Sequence, residues 1–148
     1  MHAHDHKLCV TEAEALCAKA GESLTPLRRR VLELLLDAPG PAKAYDLLAQ
    51  LGDDTGPAKP PTIYRALEFL MKVGLAHRIE SLNSFVACNM HGCGREAAFL
   101  ICDSCGATDE LDAHESFHEI SDKAAGAGFR ATRSVLEIHG VCSACTAA

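Results

Sequence analysis

Apolar positions recur at helical spacing through the front of the chain and give way to short strand-like runs behind it. Leu27, Val31, Leu34 and Leu35 fall on one helix face. Thr25-Pro26 supplies that helix with an N-cap and a proline at its first position, and Pro39-Gly40-Pro41 ends it. Before it, the Ala/Glu-rich stretch from Thr11 to Ala20 predicts a helix stopped by Gly21. After it, Ala44, Leu47, Leu48 and Leu51 repeat at i, i+3, i+4 and i+7, and a Gly/Asp/Pro loop is expected from Gly52 to Pro60. A fourth helix is predicted from Pro61 to Val73, with Ile63, Ala66, Leu67 and Leu70 inward and Tyr64, Arg65, Glu68 and Lys72 outward. Leu75–Glu80 and Phe85–Cys88 then read as a hairpin around Ser81–Ser84, a register that sets His77 opposite Cys88.

The back of the chain alternates differently. Ala97–Ile101 and Thr108–Leu111 are predicted strands. Asp112 is expected to cap a helix whose core stripe is Ala113, Phe117, Ile120 and Ala124, and Phe129–Ile138 returns as a strand. Helices followed by a two-stranded ribbon are the order of a winged helix-turn-helix. The fold class is therefore α+β: a winged helix over 1–87, a hinge over 88–95, and a small C-terminal α/β domain over 96–148.

Charge refines that division. The net charge of −6 argues against a nucleic-acid partner until the chain is split. Residues 81–148 carry 4 basic and 9 acidic groups, whereas Leu24–Arg78 carries 8 basic and 6 acidic. A basic face at the front is thus compatible with DNA binding. On the fourth helix, Arg65 can bind guanine edges bidentately, and Tyr64 can pack on a thymine methyl or bond a phosphate; a merely solvated helix face is the alternative. Arg28-Arg29-Arg30 and Lys59 read as phosphate contacts or solubilising charge.

Cysteine spacing carries the strongest chemistry. Cys102-Asp-Ser-Cys105 and Cys142-Ser-Ala-Cys145 are two Cys-x-x-Cys pairs, the donor set of a closed four-thiolate zinc site. The 36 residues between them require an inserted strand, helix and strand. The first residues, Met1-His-Ala-His-Asp-His6, are polar and lack a basic stretch leading into an apolar run, and no apolar stretch is long enough to span a membrane. A cytoplasmic location follows, where paired cysteines are metal ligands more often than disulfides. His77, Cys88, His91 and Cys93 gather a second set of soft and borderline donors near the hinge, which favours Zn²⁺ over hard cations; a buried histidine beside a buried free cysteine is the alternative. His114-Glu-Ser-Phe-His118 matches the H-E-x-x-H of zinc hydrolases, with Glu137 as a conceivable third ligand. Its place on the flank of a small domain's helix, without bulk for a substrate cleft, argues against an enzyme.

Together these pieces resemble the ferric uptake regulator superfamily. The resemblance rests on Leu24-Thr-Pro-Leu-Arg28, Ala44-Tyr-Asp-Leu-Leu48, Pro61-Thr-Ile-Tyr-Arg-Ala-Leu67, Gly74-Leu, Cys102-x-x-Cys-Gly106 and His139-Gly-x-Cys-x-x-Cys145. Within the superfamily the chain is most similar to the zinc uptake regulator branch. That resemblance implies a zinc-responsive repressor that binds palindromic operator DNA as a homodimer, with no small-molecule substrate and no membrane partner. It implies two zinc sites per chain: a structural one at Cys102, Cys105, Cys142 and Cys145, and a regulatory one including His77, Cys88 and Glu110. Arg95 stands where the branch carries a further histidine ligand, so Cys93, or alternatively His91, is expected to complete the regulatory set. Tyr64 and Arg65 take the DNA-reading positions. Iron- or manganese-responsive regulation is the alternative within the superfamily.

Overall fold

The computed structural model of the chain describes residues 6–55, 60–88 and 96–147, with side chains from residue 11 and, in the third helix, through Gly52. The expectations placed on Lys59, His91, Cys93 and Arg95 lie outside the described residues. The chain divides into two compact units, Met1–Ala87 and Cys88–Ala148.

The first unit is built from α1 (His6–Lys19), α2 (Pro26–Asp37), α3 (Ala44–Thr55) and α4 (Pro60–Lys72), followed by strands β1 (Ala76–Ile79) and β2 (Ser84–Ala87). Thr25 caps α2, accepting a hydrogen bond from Arg28 N at 3.3 Å, and Pro26 opens the helix. Both prolines of α4 lie in its first turn, where no N–H is missed. Val31, Leu47, Leu51, Ile63, Leu67 and Leu70 are almost wholly buried in one core. Gly74, at φ +81°, ends α4 by letting Leu75 N reach back to Leu70 O at 2.8 Å.

Several boundaries differ from the sequence expectations. Helix α1 begins at His6 rather than Thr11. Helix α3 runs through Gly52 to Thr55 instead of breaking; burial of Leu47 and Leu51 outweighs the ~1 kcal/mol helix penalty of one glycine. In the hairpin, Glu80–Leu82 forms a 3₁₀ turn and Asn83 takes a left-handed conformation at φ 48°, so Ile79 pairs with Ser84 and His77 with Val86. The predicted opposition of His77 and Cys88 is therefore corrected by two residues. The arginine triplet serves packing: Arg28 lies 3.7 Å over the Phe69 ring and donates to Ser23 O, Arg29 pairs with Glu14, and Arg30 with Glu33.

The second unit contains β3 (Glu96–Cys102), β4 (Thr108–Glu110), α5 (His114–Gly126), β5 (Ser134–Gly140) and the short α6 (Ser143–Thr146). Its sheet has the order β4-β3-β5, with β4 antiparallel and β5 parallel to the central strand. The buried residues Ala97, Ala98, Phe99, Ile101 and Phe117 form its core. Asp112 does not cap α5 as predicted: Ala113 occupies the cap position, while the Asp112 carboxylate accepts from His114 N at 3.3 Å. Ile120, expected in the core, is 52 % exposed. The last strand starts at Ser134 rather than Phe129, because Gly128 at φ +77° and Phe129 are used to close α5, with Phe129 N bonded to Ala124 O.

The α2 cap yields a direct stability test. Thr25→Ala is expected to lower the unfolding free energy of the first unit by about 1 kcal/mol, read as a fall in urea midpoint with unchanged m-value.

Candidate metal centres and nucleic-acid interface

The parallel pairing of β3 with β5 runs in register from Glu96↔Ser134 to Cys102↔Gly140. Both strands therefore end side by side, and each hands the chain directly to a cysteine pair. Asp103 N donates to Gly140 O at 2.8 Å, stitching the first knuckle to the end of β5. Gly106, at φ +78°, turns the chain so that Cys102 N meets Ala107 O. The second knuckle is held by Thr146, whose N and Oγ1 both donate to Cys142 O.

The result gathers one Sγ from each of Cys102, Cys105, Cys142 and Cys145 within 4.8 Å of one another. Cys105 Sγ and Cys142 Sγ are 3.7 Å apart. Disulfide sulfurs lie about 2.0 Å apart, whereas a tetrahedron with Zn–S bonds of ~2.3 Å places its sulfurs about 3.8 Å apart. The donor set fits Zn²⁺ in number, type and spacing. Its electrostatics agree. The backbone N–H of Cys142, then those of Cys105 and Ser104, pull the Cys102 thiol down to about 6. The first thiolate thus settles there, with Cys142 N 3.3 Å from its sulfur. Hydrogen bonds with Cys142, Cys105 and Cys102 push the Cys145 thiol up to about 12. Four thiolates repel one another unless a dication is shared among them. Beside the clasp, His139 bridges Glu137 Oε2 at 3.4 Å and Asp103 Oδ1 at 3.3 Å, and those two hydrogen bonds, Glu137's first, raise its pKa.

The second predicted set begins on the wing. His77 is buried on β1. Cys88 follows directly on β2, which ends at Ala87. In the second unit, the half-buried Cys88 thiol donates to Glu110 Oε1 at 3.8 Å. Glu110 ends β4, where pairing with Phe99 positions it.

The outward face of α4 is as expected: Tyr64 is 51 % exposed, Arg65 and Glu68 are exposed, and Lys72 pairs with Glu22 at 3.3 Å. Tyr45, not singled out from the sequence, stands 80 % exposed at the start of α3. Its signal was an aromatic off the apolar stripe, just after Lys43. The H-E-x-x-H pair does not gather a hydrolase ligand set among the described residues. His114 Nδ1 meets Glu96, His118 Nδ1 meets Asp122, and Glu137 is engaged by His139 instead.

The sequence profile of the Ferric uptake regulator family matches residues 19–139, most of the chain. The chain belongs to the ferric uptake regulator family. Within it, the zinc uptake regulation protein of Escherichia coli (strain K12) is 42 % identical over 137 residues, covering 92 % of this chain and 80 % of that protein. A solved zinc uptake regulator complexed with zinc and DNA has a TM-score of 0.89 at 39 % identity, covering 97 % of both chains. The holo form of XcZur gives 0.86 at 40 % identity, covering 97 % of this chain and 99 % of that one.

Removing one clasp ligand tests the site. Cys105→Ser is expected to bind one zinc equivalent fewer per chain and to lose the cooperative thermal transition of the second unit, measured by metal analysis and calorimetry.

Proposed function

We propose that this protein is a zinc-responsive transcriptional repressor that binds palindromic operator DNA as a metal-loaded homodimer and controls zinc-uptake genes. The likeness to a regulator solved with zinc and DNA, over 97 % of both chains, carries this reading. The donor chemistry supports it independently. Cys88 brings a thiolate to the second set, and soft ligands favour zinc over iron(II) or manganese(II) at a site with so few carboxylates.

Cys102, Cys105, Cys142 and Cys145 hold a structural zinc in a shell closed by four thiolates. His77, Cys88 and Glu110, with Cys93 or alternatively His91 as the fourth donor, hold the regulatory one. When bound there, Zn²⁺ supplies a tetrahedral link among those donors. His77 belongs to the wing and Glu110 to the unit beyond it, so sharing one ion restricts the wing against that unit. Restriction lowers the ordering cost of placing two α4 helices on two half-sites, and coupling of this kind is reciprocal: operator DNA tightens zinc binding by the same factor. Arg65 reads base edges and Tyr64 a methyl or phosphate, while Tyr45, on the helix that crosses the DNA backbone, contributes a phosphate contact. The exposed Leu100, Ile120, Phe129, Val135 and Ile138 of the second unit supply apolar surface for the homodimer. No described helix is long and apolar enough to cross a membrane, in keeping with a cytoplasmic DNA-binding protein. The protein is a regulator rather than an enzyme.

Two substitutions separate sensing from reading. Cys88→Ala is expected to raise the free zinc needed for half-maximal operator binding at least tenfold while leaving one zinc per chain; an unchanged zinc dependence in a mobility-shift titration contradicts the assignment. Arg65→Ala is expected to weaken operator binding by about 1–3 kcal/mol at saturating zinc, with metal content unaltered.

A further inference from the structure

The histidines of the H-E-x-x-H segment are left over once both zinc sets are assigned. They sit at i and i+4 on α5, a spacing that brings side chains together on one helix face. His114 and His118 are 76 % and 69 % exposed, so neither serves the core. Each ring has a carboxylate at Nδ1: His114 Nδ1 is hydrogen-bonded to Glu96 Oε2 at 3.4 Å, and His118 Nδ1 lies at ion-pair distance, 3.2 Å, from Asp122 Oδ2. A carboxylate accepting from Nδ1–H places the lone pair of the neutral imidazole on Nε2. This is the carboxylate–histidine arrangement that orients metal-binding imidazoles. A carboxylate beside Nδ1 of both rings, on two histidines one helical turn apart, is the second observation that the bare motif lacks.

We infer that Nε2 of His114 and Nε2 of His118 form an accessory, solvent-open site for a borderline divalent cation such as Zn²⁺, distinct from both the thiolate clasp and the hinge set. Two imidazoles suit zinc, copper and nickel rather than magnesium or calcium. With two protein ligands and water completing the shell, the site binds more weakly than the four-thiolate clasp. The position at the first turn of α5 opposes a cation through the helix dipole. The carboxylates of Glu96 and Asp122, which face the two rings, offset that effect. Glu115 lies one residue after His114, about 100° around the helix, and has no part in ligation. With no third protein ligand, the arrangement is a binding site and not a hydrolytic centre.

The test is a zinc titration of the full-length protein with its tight sites already filled, using a competing chromophoric chelator, together with ring-nitrogen NMR of the two histidines. One additional, weaker equivalent is expected, with the resonances of His114 and His118 shifting together. His114→Gln and His118→Gln should each lower its affinity at least tenfold while the tight equivalents stay. Asp122→Asn should weaken it about 10-fold, and Glu115→Gln should leave it unchanged. Absence of the additional equivalent overturns the inference. So does its survival at full strength in His114→Gln and His118→Gln, or its loss when only His2, His4 and His6 are replaced. Unchanged affinity in Asp122→Asn contradicts the carboxylate-held geometry.

Discussion

The second unit depends on one register: β5 lies parallel to β3 with Gly140 opposite Cys102. A parallel pair needs a crossover between its strands, and β4 with α5 supplies it. Because both strands point the same way, both knuckles emerge at the same edge, and four thiols from residues forty apart meet within 4.8 Å. A one-residue slip in β5 reverses the face of every side chain along it and carries Cys142 away from Cys102. The clasp and the register therefore enforce each other. Metal binding rewards the pairing, and the pairing brings the ligands together before metal arrives. That reciprocity suits a small unit whose core is little more than Ala97, Ala98, Phe99, Ile101 and Phe117.

The same strands place two donors of the proposed regulatory set. Phe99, on the central strand, pairs with Glu110, and Glu110 meets the Cys88 thiol. The two sets differ in chemistry as well as place. The clasp offers four sulfurs in a closed shell, suited to permanent occupancy. His77, Cys88 and Glu110 offer nitrogen, sulfur and oxygen, a softer commitment suited to reversible binding. A sensor needs the second kind of site to move with free metal while the first stays filled. Charge follows the same division, with acidity concentrated in the metal-binding half and the basic excess in the segment that contains α4.

Local chemistry made much of this legible in sequence. The N-cap and proline of α2, the inward stripe of α4 and the paired cysteines are each set by residues within a few positions, and they read correctly. Features decided by packing or by one backbone conformation did not. Asn83 adopts a left-handed conformation that moves the four-residue hairpin loop back by one position and shifts the pairing register by two residues. Helix α3 outlasted its glycine because its leucines were already buried. Ile120 matched a helical core stripe yet lies in solvent, since periodicity identifies an apolar face without saying what covers it. The H-E-x-x-H pattern, set aside from the sequence for want of a substrate cleft, has its would-be third ligand, Glu137, engaged by His139.

Operator binding by this chain is proposed to follow occupancy of the mixed donor set and not of the clasp. Zinc K-edge absorption recorded along a buffered zinc titration with operator DNA present tests this most directly. The predicted result is an all-sulfur shell at low free zinc without DNA binding, then mixed nitrogen, oxygen and sulfur coordination rising in step with complex formation. Full operator binding while the zinc shell is still purely sulfur would contradict it.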